Sequence, residues 1–291
     1  MASKIYRKSN NLVYRLSHIL SATLLLVSVG SSAQGSKLLG TGGTTSVEGA
    51  AGGGIVPWAT IGSYASSGEW GVTLGHSRVG VDDFSLVSNA VGLHYDNRYE
   101  LSIGRQQFWV DPLALPLDQQ VFGAKVRLTG DLIYSALPQL SLGVQYKHHQ
   151  NGAVPLALGA AQTSGTDWYL AASKVYLDAI AGRNLLLNAT LRRTSANQMG
   201  LLGFGADGHN SAAWVGEFSA AVLLRHDLAI GVEFRQKPDQ LAFAREDHWR
   251  DMFAAWFVNR HASIVAGYVD LGSIAGLKAQ TGYYIALQGA F

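Results

Sequence analysis

The chain has 291 residues, 34 of them glycine, with 48% apolar and 14% charged side chains and a formal net charge of +2. That charge content is well under the roughly 25% of ordinary soluble domains, and 22 basic against 20 acidic residues leave no basic surface for nucleic acid. The absence of cysteine excludes disulfides, thiolate metal centres and a lipidated N-terminal cysteine, and it suits an oxidising compartment.

Residues 1–33 read as an export signal. Lys4, Arg7, Lys8 and Arg15 make a basic region and Leu16–Gly30 an apolar stretch. Ser31, Ser32 and Ala33 then supply the small residues of a cleavage site before Gln34. The apolar stretch is short for a membrane helix. Removing its four basic residues from the 22 leaves 18 against 20 acidic ones, so the exported chain carries a net charge of −2. Residues 34–54 are glycine-rich. Their run Gly52-Gly53-Gly54 lacks the following lysine and helix of a phosphate loop, and is expected to serve as a tight turn in a first strand, or as a plug or gate.

From Ile55 onward, segments of about ten residues alternate apolar with polar or small side chains and are separated by turn signals. The strand candidates are 55–64, 69–79, 83–95, 97–109, 119–133, 139–149, 165–177, 184–194, 211–225, 227–236, 248–258, 260–270 and 281–291. No run after the export signal approaches the roughly 20 apolar residues of a membrane helix. A chain that is apolar on average but never continuously so fits a transmembrane barrel, whose closed strand pairing satisfies every backbone group in lipid. The expected fold is therefore all-β, an antiparallel up-and-down transmembrane barrel over residues 55–291.

Side-chain parity sets two hairpins. Around Arg225-His226-Asp227 it pairs Leu224 with Leu228, Val222 with Ile230, Ala220 with Val232 and Phe218 with Phe234. Ser219 then falls opposite Glu233, and Glu217 opposite Arg235. Around Asp96-Asn97-Arg98, Leu93 meets Leu101, Val91 meets Ile103 and His94 meets Glu100. With the C-terminus in the periplasm, the longer connections fall outside and the shorter ones inside. Thirteen strands would start the chain on the wrong side. A crossing by Thr44–Ala51 would make about fourteen, the preferred count. Twelve results if the N-terminal stretch lies in the lumen as a plug and one of the thirteen segments is a loop.

The more polar face carries Lys125, Arg127, Lys147, Arg192, Glu217, Glu233 and Arg235. Arg or Lys on the lipid face costs about 2–4 kcal/mol at mid-bilayer, so these residues are assigned to the lumen, where basic residues outnumber acidic ones. One register would set Lys125 opposite Lys147. Aromatic residues gather near strand ends, Trp58, Tyr64, Trp70, Tyr99, Trp109, Trp214, Tyr268 and Tyr283 among them, as interfacial girdles require. The last strand places Tyr283, Ile285, Leu287 and Phe291 on one face and ends on an aromatic residue. It is similar to the C-terminal signal that assembly machinery reads in outer-membrane barrels.

The stretches VEGAAGGGIVPWA (47–59), GTDWYLAASKVYL (165–177), GRNLLLNATLRRTSANQMGLLGFG (182–205) and AGYVDLGSIAG (266–276) resemble a Gram-negative family of outer-membrane or periplasmic proteins of unknown function. The resemblance implies an exported envelope protein and carries over no substrate or catalytic residue.

A third reading, an outer-membrane lipid hydrolase, has two His/Ser pairs as its candidates. His76 and Ser77 diverge across a strand. His261 and Ser263 share a face but lack an acidic residue to orient the ring. His148-His149 and Asp82-Asp83 do not converge as metal ligands. The expected function is a porin-like passive channel or transporter for small solutes, with no enzyme activity, cofactor or metal. The alternative is a structural barrel with an ion-paired lumen that presents loops 150–164 and 195–210 to a partner. Expected partners are outer-membrane lipid, lipopolysaccharide and the barrel-assembly machinery, and the expected location is the bacterial outer membrane.

Overall fold

The computed structural model describes residues 37–206 and 211–291; the expected export signal lies outside them. Within these, residues 70–290 supply twelve strands that close into an antiparallel barrel. They are β3 (Trp70–Val81), β4 (Phe84–Tyr95), β5 (Tyr99–Val110), β6 (Leu115–Thr129), β7 (Gln139–His149) and β8 (Ser164–Ile180). The remainder are β9 (Arg183–Thr194), β10 (Ala213–Arg225), β11 (Leu228–Arg235), β12 (Trp249–Phe257), β13 (Ala262–Asp270) and β14 (Thr281–Ala290). Sequential strands pair throughout, and β14 closes on β3 with Ile285 opposite Arg78 and Leu287 opposite His76. Beyond β14, Phe291 exchanges backbone hydrogen bonds with Val72 at 2.9 and 2.8 Å.

The barrel thus has the lower of the two strand counts, and the preferred count of fourteen gives way for a clear reason. Residues 55–64 alternate like a strand, yet they form none and lie inside the barrel, almost all of them buried. Thr44–Ala51 does not cross the membrane either. It contributes β1 (Thr44–Thr45) and β2 (Ala51–Gly52), a two-rung hairpin enclosed by the wall. Residues 37–41 enter at the end carrying the short turns and Phe291. The segment then rises to Glu48, returns through Trp58, and meets the same end again at Ser66–Glu69. There Gly68 N–H donates to Asp96 Oδ1 at 2.7 Å and Asp96 N–H to the Glu69 carbonyl at 3.0 Å.

The parity registers are observed from Val222–Ile230 to Glu217–Arg235 and from Leu93–Leu101 to His94–Glu100. One rung differs: a bulge between Leu223 and Arg225 sets Leu228 opposite Arg225 rather than Leu224. A larger departure lies at β6–β7, where Lys125 faces Gly143 and Lys147 faces Val121. The two lysines are not opposed.

The exterior is an apolar band including Leu93, Leu101, Ile103, Phe122, Leu170, Phe218, Val232 and Ile285, all exposed. Trp70, Tyr99 and Tyr176 ring it at the turn end, and Trp109, Tyr146, Trp168, Trp214, Tyr268 and Tyr283 at the loop end. Such a surface calls for lipid, with aromatic rings at headgroup depth. Trp58 and Tyr64 are exceptions to the girdle assignment, because they belong to the enclosed segment.

Candidate functional site

The enclosed N-terminal segment is gripped through its main chain. Glu100 on β5 accepts from the Ala51 and Gly62 amides at 2.9 and 3.1 Å, and Glu233 on β11 from the Ile55 amide at 2.8 Å. Lys125 on β6 donates to the carbonyls of Ala51, Trp58 and Thr60 at 3.0, 3.2 and 2.7 Å. Gln139 and Ser141 on β7 both donate to the Ala59 carbonyl at 2.6 Å. Ser88 on β4 and Gln106 on β5 both donate to the Val47 carbonyl at 2.7 Å. Buried amides and carbonyls must be paired, and here wall side chains do for an irregular segment what a neighbouring strand does in a sheet.

The approach is so close that the glycine run has no room for side chains. A Cβ on Gly53 would lie 2.0 Å from Glu233 Oε1, one on Gly54 2.7 Å from the Tyr284 hydroxyl, and one on Gly52 2.3 Å from the Val56 carbonyl. The turn tip thus rests against β11 and β14. Apolar residues of the segment, Val47, Ile55, Val56 and Trp58, pack with Leu186, Phe253 and Val265 on the wall.

At the loop-side third of the barrel the segment delivers one charge. Lys147 on β7, Arg192 on β9 and Arg235 on β11 converge on Glu48. Arg235 reaches Oε2 at 2.7 Å and Arg192 the same oxygen at 3.5 Å, while Lys147 bonds Oε1. The wall adds two acids: Asp167 lies 2.7 Å from Lys147 and 3.2 Å from Arg192, and Glu217 lies 2.6 Å from Arg192 and 3.3 Å from Arg235. Three cations and three carboxylates form a neutral, fully enclosed network. The cations hold the Glu48 carboxyl far below the ordinary carboxylate range, against the opposing effect of its burial.

A second cluster lies near the turn end, with Glu100 3.1 Å from Lys125 and 3.6 Å from His94. Of the residues assigned to the lumen from sequence, Lys125, Lys147, Arg192, Glu217, Glu233 and Arg235 are buried inside the barrel. Arg127 sits at the turn-end mouth, 3.2 Å from Asp131. The basic excess does not hold. Glu100, Asp167 and Asp251 also face inward and bring the wall carboxylates to five, matching the five basic residues. Parity within the candidate strands 97–109, 165–177 and 248–258 places all three inside.

A second segment folds inward at the loop end. Ser195–Gly205 folds into the barrel, and nearly every residue of it described is buried. Lys147 donates to the Met199 carbonyl at 3.1 Å, and the His149 Nε2 lies 2.7 Å from that of Gly200. This stretch is therefore not presented outward as expected from its place between β9 and β10.

The His/Ser candidates do not assemble. The His261 ring nitrogen Nδ1 engages the Ala290 carbonyl at 2.8 Å, while Ser263 points inward; His76 bonds Asn89 at 2.8 Å and Ser77 is buried on the other face. Among the described residues no three His, Asp or Glu side chains are grouped to hold a metal ion.

The molecule is a transmembrane β-barrel of porin-like architecture, filled by its own chain. No curated protein matches its sequence. Among solved structures it is similar to the NanC porin, at 10% identity and a TM-score of 0.49 over 75% of this chain and 98% of that one. It is similar also to the KdgM porin, at 10% identity and a TM-score of 0.48 over 75% and 99% of the two chains. The Acinetobacter baumannii outer membrane protein Omp33 follows at 12% identity and 0.44, over 77% and 98%. A family model matches residues 41–288, covering the enclosed segment and the wall together, and the chain belongs to the family described as "Protein of unknown function (DUF3034)".

Proposed function

We propose that the protein is an outer-membrane channel for small solutes, held closed at rest by residues 37–66. The observation that carries this reading is the chemistry of the wall. Its inward face is studded with ionised groups, most of which grip the segment by its main chain or by Glu48 alone. Buried ion pairs stabilise a permanently filled interior no better than well-packed apolar groups do. A wall of this kind suits an interior that water enters when the segment withdraws. The turn end faces the periplasm in this reading. The connections at the opposite end, 150–163, 236–248 and 271–280 among them, are mostly the longer ones, which supports an outward-facing loop end.

The test is planar-bilayer recording of the exported protein beside a variant in which a short Gly-Ser linker replaces residues 38–64. The full protein is expected to be mostly closed with rare openings, and the variant to conduct steadily. A variant that remains a heat-modifiable barrel yet passes no current would overturn the reading. A second reading, a permanently filled structural barrel, is favoured by the apolar packing of Val56 and Trp58 against the wall, where each buried side chain contributes about 1.5–3 kcal/mol to closure.

A further inference from the structure

We propose that the cation cluster around Glu48 is the solute site of the opened channel, and that a small hydroxy acid binds there with its carboxylate in the place of Glu48. This rests on the gated reading above. Charge balance is the first ground. Lys147, Arg192 and Arg235 belong to the wall with only Asp167 and Glu217 to offset them, and the third carboxylate comes from the segment. Withdrawal leaves the wall cluster one positive charge in excess, enclosed by low-dielectric walls that focus its field.

Geometry is the second ground. The two oxygens of Glu48 are separately bound, one by the Lys147 ammonium and the other by the Arg235 and Arg192 guanidinium groups. That is a cradle for a planar carboxylate, set by side chains from three strands that remain after the segment has gone.

The neighbouring groups specify the rest of the solute. Ser88 and Gln106, which meet at the Val47 carbonyl one residue from Glu48, lose their common acceptor on withdrawal. Gln145 accepts from Arg192 at 2.7 Å, but its amide nitrogen is fully buried without a hydrogen-bond partner; Asp167 Oδ1 is likewise unpartnered. Open donors and an open acceptor beside a carboxylate cradle are satisfied together by a hydroxyl, which donates and accepts. Glu48 with its flanking carbonyl therefore behaves as a tethered stand-in for the solute. A hydroxy acid that captures the cradle keeps the segment out, because the two compete for one site.

The experiment uses lactate and gluconate as probes. In the linker variant bathed in a potassium lactate gradient, the reversal potential is expected to show lactate more permeant than potassium, and Arg192→Gln or Arg235→Gln is expected to lower that preference several-fold. In the full-length protein, lactate or gluconate should raise the open probability saturably, glucose should not, and Glu48→Gln should open the channel without either. A conducting linker variant with no preference for lactate, or one indifferent to both arginine substitutions, overturns the solute site and leaves the gated reading intact. An equal response to inorganic phosphate makes the cradle a general anion site and overturns the hydroxy-acid assignment. A folded but silent linker variant strikes the gated reading instead.

Discussion

At the scale of single residues, the proposed closure depends on one charge and on missing side chains. Replacing Glu48 by Gln leaves Lys147, Arg192 and Arg235 with one carboxylate too few. Breaking a buried pair costs about 3 kcal/mol or more, which is roughly a hundredfold in the ratio of closed to open molecules. Single-channel open probability measures it directly. Gly53→Ala is expected to act the same way by sterics alone, since its Cβ would lie 2.0 Å from Glu233, whereas Gly80, with nothing within 4 Å, should accept Ala silently. Protease sensitivity of the N-terminal segment in detergent distinguishes the two substitutions. How much of this was legible follows from what alternation encodes. Parity tells which face a side chain takes, so Lys147, Arg192 and Arg235 could be assigned inward from sequence. It does not tell which strand offset is used, so a register with Lys125 opposite Lys147 stays open in the sequence, whereas the ionic partner of Lys125 is Glu100.

At the scale of elements, the wall strands were readable and the filling was not. Twelve of the thirteen candidate segments became strands because each has one lipid-facing row of apolar side chains, a demand that no loop shares. Residues 55–64 carry the same period without that demand. Enclosed on all sides and interrupted by Pro57, which has no amide to give a ladder, the segment takes its hydrogen bonds from wall side chains instead. Ser195–Gly205 misled for a related reason. Its turn inward rests on Gln198 and Met199 at positive φ, 47° and 62°, a strain paid back by the hydrogen bonds Gln198 makes with Lys237, Glu246 and Ser273. The N-terminal segment also carries a pH signature. The Lys37 ammonium donates to the Ile61 and Ser63 carbonyls at 3.2 Å, and desolvation, then Arg127 and Lys125, push its pKa down from 10.5 to about 7 in spite of Glu100. Withdrawn into water, Lys37 returns to its ordinary value. Between these two pH values the closed state binds fewer protons than the open one, so closure strengthens as pH rises through that window. Below it the cost of the buried charge is fully present. Open probability should therefore fall from neutral to alkaline pH, and Lys37→Met should flatten the profile.

At the scale of the whole molecule, the barrel and its filling divide the tasks of stability and proposed closure. Continuous pairing around twelve strands should let the wall survive loss of residues 38–64, with a lower unfolding temperature but retained heat-modifiable migration on gels. The seam is a different matter. Phe291 carries the final pair of hydrogen bonds to Val72 and stacks on His261 with 5.8 Å between ring centroids. Tyr283, Ile285, Leu287 and Phe291 form the outward row of the closing strand, the row proposed to be read during assembly. Removing Phe291 is expected to cut the yield of assembled barrel in the outer membrane while leaving the conductance of molecules that do assemble unchanged. Quantifying folded and unfolded bands in membrane fractions would show it.

The filling enters and leaves by the same mouth, since Lys37 meets Ile61 and Ser63 there and Glu69 continues directly into β3. A strand threaded from one face to the other could be cleared only by dragging a chain end through the whole bore. A doubled-back segment can slide out like a drawer, with neither end passing the constriction. The handle of that drawer lies on the side of the short turns, so a partner that grips the segment itself must pull from the compartment those turns face, whereas a solute from the loop side acts at its front, by holding the vacated cradle.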